Sequence, residues 1–218
     1  MLVPEPAHDE KLVTGRHAFL RYTVRTLGRA QHAGVAQGVG RSAISAMARL
    51  ITEIEGFSDI DTEVTYRVGV IGGGDFVNVV PTECQAQVLC VAPTAEAFAA
   101  VSQRMMSLVS PDPEIRVEVQ AGPVRPLFQP NEGTLSLYQI AEEVAAQLGL
   151  KLDHGQFGGG SDGNFTGALG VPTLDGLGVH GRGLHTKDEH LFVSSLVPRT
   201  RLLAGIFAAL SELSDRKN

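Results

Sequence analysis

The sequence predicts an α/β protein built from two unlike parts, and three observations predict it. Across residues 17 to 120 the apolar spacing alternates between period two and period 3.6 in the order β-α-β-β-α-β, the order of a ferredoxin-like two-layer domain. After Pro123-Val124-Arg125-Pro126 the pattern changes to helices interleaved with short strands and a glycine loop, as in an α/β layer. This second part has too few strands to form a sheet covered on both faces.

The first strand runs over about 17–27, with Leu20, Tyr22 and Val24 facing one way and Arg21, Thr23 and Arg25 the other. A loop, Arg29 to Gly34, leads to a helix over 41–55. Ser42 is its cap, and Ile44, Met47, Ala48, Ile51 and Ile54 form an apolar stripe. Val64, Tyr66, Val68 and Val70 alternate as a second strand, broken by Gly72-Gly73-Gly74-Asp75. Glu83–Val91 is the third strand. Thr94 caps a second helix with Phe98, Val101, Met105 and Leu108 on one face, and Pro111 and Pro113 stop it. Ile115, Val117 and Val119 mark the fourth strand. An edge strand of this sheet is left over, and pairing it in a dimer would cover it.

In the second part, Thr134–Leu148 reads as a helix closed by Gly149. Lys151–Asp153, the glycine loop, a short helix over about 162–168 and the apolar run Val171–Leu174 follow. The last helix starts at Ser194 or Ser195, tolerates Pro198 in its first turn, and carries Leu196, Leu203, Ile206, Phe207 and Leu210 on its buried side. Residues 1–13 look like the tail end of a preceding segment, because Leu-Val-Pro-Glu-Pro begins in mid-strand.

Composition narrows the function classes. The chain has 218 residues, 43% hydrophobic and 19% charged, which is ordinary globular usage. The net charge of −6 leaves no electrostatic footprint for nucleic acid or an anionic membrane. No apolar run reaches the ~20 residues of a membrane span, and the N-terminus has no signal-peptide pattern. Cys84 and Cys90 share a strand face roughly 20 Å apart, beyond disulfide reach. Reduced, buried thiols suit a cytoplasmic protein.

The chemistry concentrates in two stretches. In Gly158-Gly159-Gly160-Ser161-Asp162-Gly163-Asn164 the glycines permit positive φ and close approach of backbone to a ligand. Ser161 and Asp162 stand at a helix start. In Gly181-Arg182-Gly183-Leu184-His185-Thr186-Lys187-Asp188-Glu189, a loop histidine follows a glycine turn. The glycine loop also fits G-x-S-x-G, with Asp175 and His185 following in the order of an α/β-hydrolase triad. Against that reading, no core strand precedes the loop, and the whole triad would lie within one short stretch.

GGGSD followed by GVPTLDGLGVHGRGLHTKDE resembles the C-terminal segment of the zinc-dependent exopeptidases that include glutamate carboxypeptidase, aminoacylase, acetylornithine deacetylase and succinyl-diaminopimelate desuccinylase. The resemblance implies a ferredoxin-like lid and dimerisation domain over 14–122 and the C-terminal part of an α/β zinc-peptidase catalytic domain over 123–218. Residues 1–13 would then close a segment that precedes the lid. His185, in the G-x-G-x-H-T/S pattern, would be a zinc ligand. Glu5, between Pro4 and Pro6, would be the carboxylate ligand of the other zinc. His32, in Gly28-Arg29-Ala30-Gln31-His32-Ala33-Gly34, would donate to the oxyanion in the partner subunit's site. Asn78 would contact substrate across the dimer, Arg125 in Arg-Pro-Leu-Phe would bind its free carboxylate, and Gly159, Gly160 and Ser161 would line its pocket.

The family's H-x-D pair, bridging Asp and Glu-Glu pair have no counterpart in this chain. Glu5 and His185 cannot hold a metal pair that needs about three protein ligands per metal. Two expectations follow. The chain is a truncated zinc amidohydrolase, with zinc replaceable by cobalt or manganese, that forms a homodimer through its lid. Its substrates are small peptides or N-acyl amino acids with a free carboxylate, not nucleic acid or membrane. Alternatively, it is a non-catalytic dimerisation or binding remnant of that fold.

Overall fold

The computed structural model describes residues 1–35 and 38–215. Its elements are β1 (Lys11–Arg16), β2 (Ala18–Leu27), α1 (Ala43–Glu55), β3 (Thr65–Gly73), β4 (Glu83–Ala92), α2 (Ala95–Met106), β5 (Arg116–Ala121), α3 (Glu132–Gln147), β6 (Asp153–Phe157), α4 (Gly163–Ala168), β7 (Gly181–Arg182), β8 (His190–Leu191) and α5 (Leu196–Asp215). They form two compact units, Ala18–Arg125 and Met1–His17 with Pro126–Asn218.

The Ala18–Arg125 unit is the expected β-α-β-β-α-β two-layer fold. Its sheet order is β3-β4-β2-β5, with every neighbouring pair antiparallel. Ten residue pairs from Ala18↔Ala92 to Leu27↔Glu83 lock β2 to β4. Leu20, Tyr22 and Val24 on β2 and Cys84, Ala86, Val88 and Cys90 on β4 are buried beneath α1 and α2. The opposite face mixes Phe19, Leu27, Leu89 and Val91 with polar residues, and Arg25 there forms ion pairs with Glu83 at 2.7 Å and Glu118 at 3.2 Å. Ser42 and Thr94 cap α1 and α2 as expected, accepting from the amides of Ser45 and Ala97.

Two local readings need correction. Of the glycines expected to break the second strand, Gly72 and Gly73 are within β3, pairing with Gln85 and Cys84, and the strand ends only at Gly74, at φ 78°. The ladder to β4 overrides their low strand propensity. On α1 the buried positions are Ala43, Ala46, Met47, Leu50 and Ile54. Ile44 and Ala48 of the expected stripe face out. Ala43 and Ala46 join Met47, Leu50 and Ile54 on the buried face, and their small side chains let the helix approach the sheet.

The Met1–His17 and Pro126–Asn218 unit contains two strands the sequence reading did not assign, and one of them, β6, ends at Phe157 directly before the glycine loop, where no strand was expected. β1 pairs in parallel with β6, from Lys11↔Asp153 to Arg16↔Phe157. Val171–Leu174 forms no full strand. Its end makes single bridges, Leu174 to Leu2 and Asp175 to Val13. Leu12, Tyr138, Ala141, Leu174, Leu177, Leu202 and Ile206 lie in one buried cluster. Gly149, at φ 68°, ends α3 as expected.

α5 keeps Leu203, Ile206 and Leu210 of its expected stripe on the packed side, but Leu196 and Phe207 are exposed. Its buried residues are Arg199, Leu202 and Ile206, while Phe207 is 58% exposed. The cause is Arg199, whose guanidinium donates to the carbonyls of Gly176 and Gly178 and so sets the helix rotation. The segment Val193–Asp215 is, contrary to the sequence reading, long and apolar enough to cross a membrane by length and composition alone. In this fold its Leu202 and Ile206 join the buried cluster of the unit.

Two outcomes follow from this packing. Leu50 is fully buried, so Leu50→Ala should destabilise the Ala18–Arg125 unit by roughly 2–5 kcal/mol, read by denaturant unfolding. His8 stacks on Phe157 at 4.6 Å. Burial first, and then the charge of Arg16, lower its pKa below the ordinary 6.5. Its contribution is therefore fully present above 6.5 and is lost as pH falls toward the depressed folded value. His8→Phe should flatten the decline in melting temperature below that pH. An unchanged profile would remove His8 as its source.

Candidate active site

Within the Ala18–Arg125 unit, two loops build one rim. The amide of Gly28 donates to Thr82 at 2.8 Å, and Arg29 and Arg41 exchange backbone hydrogen bonds at 2.9 and 3.0 Å. A Cβ on Gly28 would lie 2.1 Å from the carbonyl oxygen of Arg41, so only glycine permits this approach. Further along, the amide of Val80 donates to Gln31 at 2.8 Å and the amide of Ala33 to Asn78 at 2.9 Å. His32 and Asn78, far apart in sequence, thus share one rim.

The imidazole of His32 is exposed, and its Nδ1 accepts the amide of Gly34 at 3.2 Å. An acceptor Nδ1 leaves the proton of the neutral ring on Nε2. The rim therefore presents a ring N–H donor. Arg125 is half-buried at the end of the unit, and its backbone exchanges hydrogen bonds with Phe19 at 2.9 Å in each direction.

In the other unit, the glycine loop sits over a buried polar network that the sequence reading missed. Arg16 is 4% exposed and Asp175 is fully buried. Arg16 donates from Nε to Asp175 Oδ2 at 2.6 Å and from Nη2 to Oδ1 at 2.8 Å. Its remaining arm, Nη1, donates to the carbonyl of Gly159 at 3.1 Å. The Ser161 hydroxyl donates to Asp175 and accepts the Gly163 amide at 3.0 Å. Asn164 accepts the Ser161 amide at 2.9 Å, and its own amide group donates to the carbonyls of His17 and Pro126. The signal was available: Arg16 and Asp175 are the charges inside the apolar runs Leu12–Leu20 and Val171–Leu177.

This network reassigns Ser161. Its hydroxyl and amide are both committed to protein partners, so it shapes the loop and has no donor left for a ligand. The triad order also fails. A serine nucleophile needs its hydroxyl on the histidine, whereas Ser161 bonds Asp175 directly, and His185 is exposed on a separate turn.

That turn is self-contained. Gly183 and His185 both adopt positive φ, at 72° and 62°. The Thr186 hydroxyl donates to Gly183 at 2.7 Å and accepts the Asp188 amide at 3.2 Å. This explains a hydroxyl residue after the histidine. The His185 amide donates to Glu189 at 3.3 Å. Glu5 is exposed, and its carbonyl accepts the Gly178 amide at 2.8 Å. Among the described residues, no group of three or more His, Cys, Asp or Glu side chains is placed to hold a metal ion. The donors present do not by themselves fit a two-metal centre.

Comparison with known proteins gives this geometry its context. Residues 14–115 match the family model of the peptidase dimerisation domain. The chain is 30% identical over 182 residues to the uncharacterized protein YqjE of Bacillus subtilis (strain 168), covering 82% of this chain and 48% of that protein. It is 26% identical over 209 residues to carboxypeptidase G2 of Pseudomonas sp. (strain RS-16), covering 92% and 49%. The chain thus spans about half the length of these curated relatives. Among solved structures, a tripeptidase from Staphylococcus aureus superposes with a TM-score of 0.73 at 24% identity, covering 94% of this chain and 54% of that one. The Bacillus subtilis YXEP protein, described as a dinuclear metal binding peptidase from the M20 family, gives 0.67 at 17% identity, covering 97% and 56%. The chain is thus similar to peptidases of the M20 family, and the matched dimerisation domain, residues 14–115, covers most of its Ala18–Arg125 unit.

Proposed function

We propose that this chain supplies the lid and the C-terminal catalytic segment of a metal-dependent amidohydrolase. The reaction is attack of water on the amide carbonyl of a small peptide or N-acyl amino acid bearing a free carboxylate. The observation that carries the reading is the His32 rim: a neutral imidazole whose Nδ1 is occupied by Gly34, leaving an Nε2–H donor in the open. A preorganised donor of this kind gains most where negative charge develops on the carbonyl oxygen. Asn78, on the same rim, is assigned to substrate contact. Arg125, whose planar fork suits a carboxylate, is assigned to the substrate's free acid. Gly159 and Gly160 are assigned to substrate binding.

Zinc is the assigned metal, with cobalt or manganese as substitutes, and Glu5 and His185 are this chain's contribution to the ligand set. The remaining ligands and the general base belong to a segment outside this chain. Homodimerisation through the lid fits the domain match and the exposed edge strand β3, where Val70 and Ile71 are 55% and 52% exposed. The buried free cysteines, with Cys90 pushed up to about 12 by burial, suit a reducing cytoplasm. The second reading is a non-catalytic dimerisation or binding module, and the absence of a metal-ligand cluster among the described residues favours it.

The pure 218-residue chain should show no turnover of N-acyl amino acids with zinc supplied. When the complementary segment is added, chelator-sensitive hydrolysis should appear. In that assembly His32→Ala should lower kcat by about 10²–10³ with little change in KM. Turnover by the chain alone would overturn the assignment of the ligands. Hydrolysis insensitive to His32→Ala would remove the oxyanion role.

A further inference from the structure

The ion pair beneath the glycine loop requires an explanation that stability does not supply. Taking a guanidinium and a carboxylate out of water costs several kcal/mol per ion, and well-packed apolar residues of similar volume often do as well or better. Arg16 and Asp175 nevertheless lie 4% and 0% exposed. The Asp175 carboxylate collects two donors from Arg16, one from Ser161 and the amide of Gly176 at 2.5 Å. One guanidinium arm remains, and it holds the carbonyl of Gly159.

That last contact fixes a direction. Among the described residues no peptide bond is cis, so the Gly159–Gly160 peptide is trans. In a trans peptide the N–H points opposite to the C=O. The carbonyl of Gly159 points at the buried Arg16, so the N–H of Gly160 in the same peptide unit points away from it. Among the described residues nothing accepts the Gly160 amide. The orientation needs the positive φ of 92° at Gly159, which a side chain would strain. A Cβ there would also stand 3.5 Å from Arg16 Nη1.

We propose that Arg16 and Asp175 are positioning residues. They hold the Gly159–Gly160 peptide with its carbonyl inward, so that the Gly160 amide is offered to an oxygen of the substrate. The donor's target rests on the hydrolase reading above, but the clamp itself does not. Ser161 belongs to the same device, locking the loop to Asp175 from its other side. The role explains why a charged pair occupies this position: only a bidentate fork with a spare arm can bind a carboxylate and a carbonyl together.

The test separates positioning from stability. Amide NMR and hydrogen exchange at Gly160 are compared in the parent, in Asp175→Asn, and in the double variant Arg16→Met with Asp175→Leu. The double variant should melt within a few degrees of the parent, with core resonances retained. In both variants the Gly160 amide should shift, and the exchange pattern of the loop should change. If both variants keep the parental Gly160 signal, the proposal is overturned. It is equally overturned if the signal changes only when the core resonances collapse, in either variant. Titration with N-acetylalanine judges the substrate reading separately. A parental chain whose Gly160 amide ignores that probe loses the assigned ligand but not the clamp. Where the parent responds, the variants should bind the probe about tenfold more weakly.

Discussion

The loop geometry of the Met1–His17 and Pro126–Asn218 unit depends on one buried contact, the fork of Arg16 on the carboxylate of Asp175. Its two residues stand on segments that carry little regular structure of their own. β1 has only β6 as a ladder partner, and the run ending at Asp175 forms single bridges. The contact ties the end of β1, the glycine loop and the start of the Gly176–Gly178 turn into one piece. Arg199 repeats the arrangement from the far side of that turn, holding the carbonyls of Gly176 and Gly178 and fixing how α5 lies. Two buried guanidiniums thus satisfy backbone carbonyls that no sheet reaches. An irregular backbone can be buried only on that condition.

The Ala18–Arg125 unit reaches its form by the ordinary route. Ten paired residues between β2 and β4 set the register, period-two alternation puts one face under the helices, and capped helices cover it. The proposed site residues stand at the ends of the strands. The hairpin after β3 and the loop after β2 are joined by backbone hydrogen bonds, and this places His32 and Asn78 together on a rigid base. The tautomer of His32 is set locally by Gly34, two residues along. The rim is therefore preorganised by short-range geometry within one domain.

How much of this was legible in the sequence follows from what each feature depends on. The two-layer domain was readable because Leu20, Tyr22 and Val24 and their counterparts on β4 alternate cleanly, and because Ser42 and Thr94 announce their helices. The faces of α1 and α5 were partly misread because each depends on a tertiary partner. Ala43 and Ala46 are buried for close approach, and Arg199 turns α5 through bonds to distant carbonyls. β1 was passed over because Leu12 and Val13 are both buried, which erases the alternation that marks a strand. The histidine and glycine motifs were legible as motifs. Their geometry was not: nothing local in Gly-Gly-Ser-Asp says that Ser161 faces Asp175 and leaves Gly160 as the free donor.

If this chain holds a lid and part of a metal centre, native mass spectrometry of the purified chain with zinc supplied should show it. The expected species is a dimer that holds fewer than two zinc ions per chain, since Glu5 and His185 are the ligands assigned to it. A species with two zinc ions bound per chain would contradict the account, because this chain would then carry a complete centre that the residues named here do not explain.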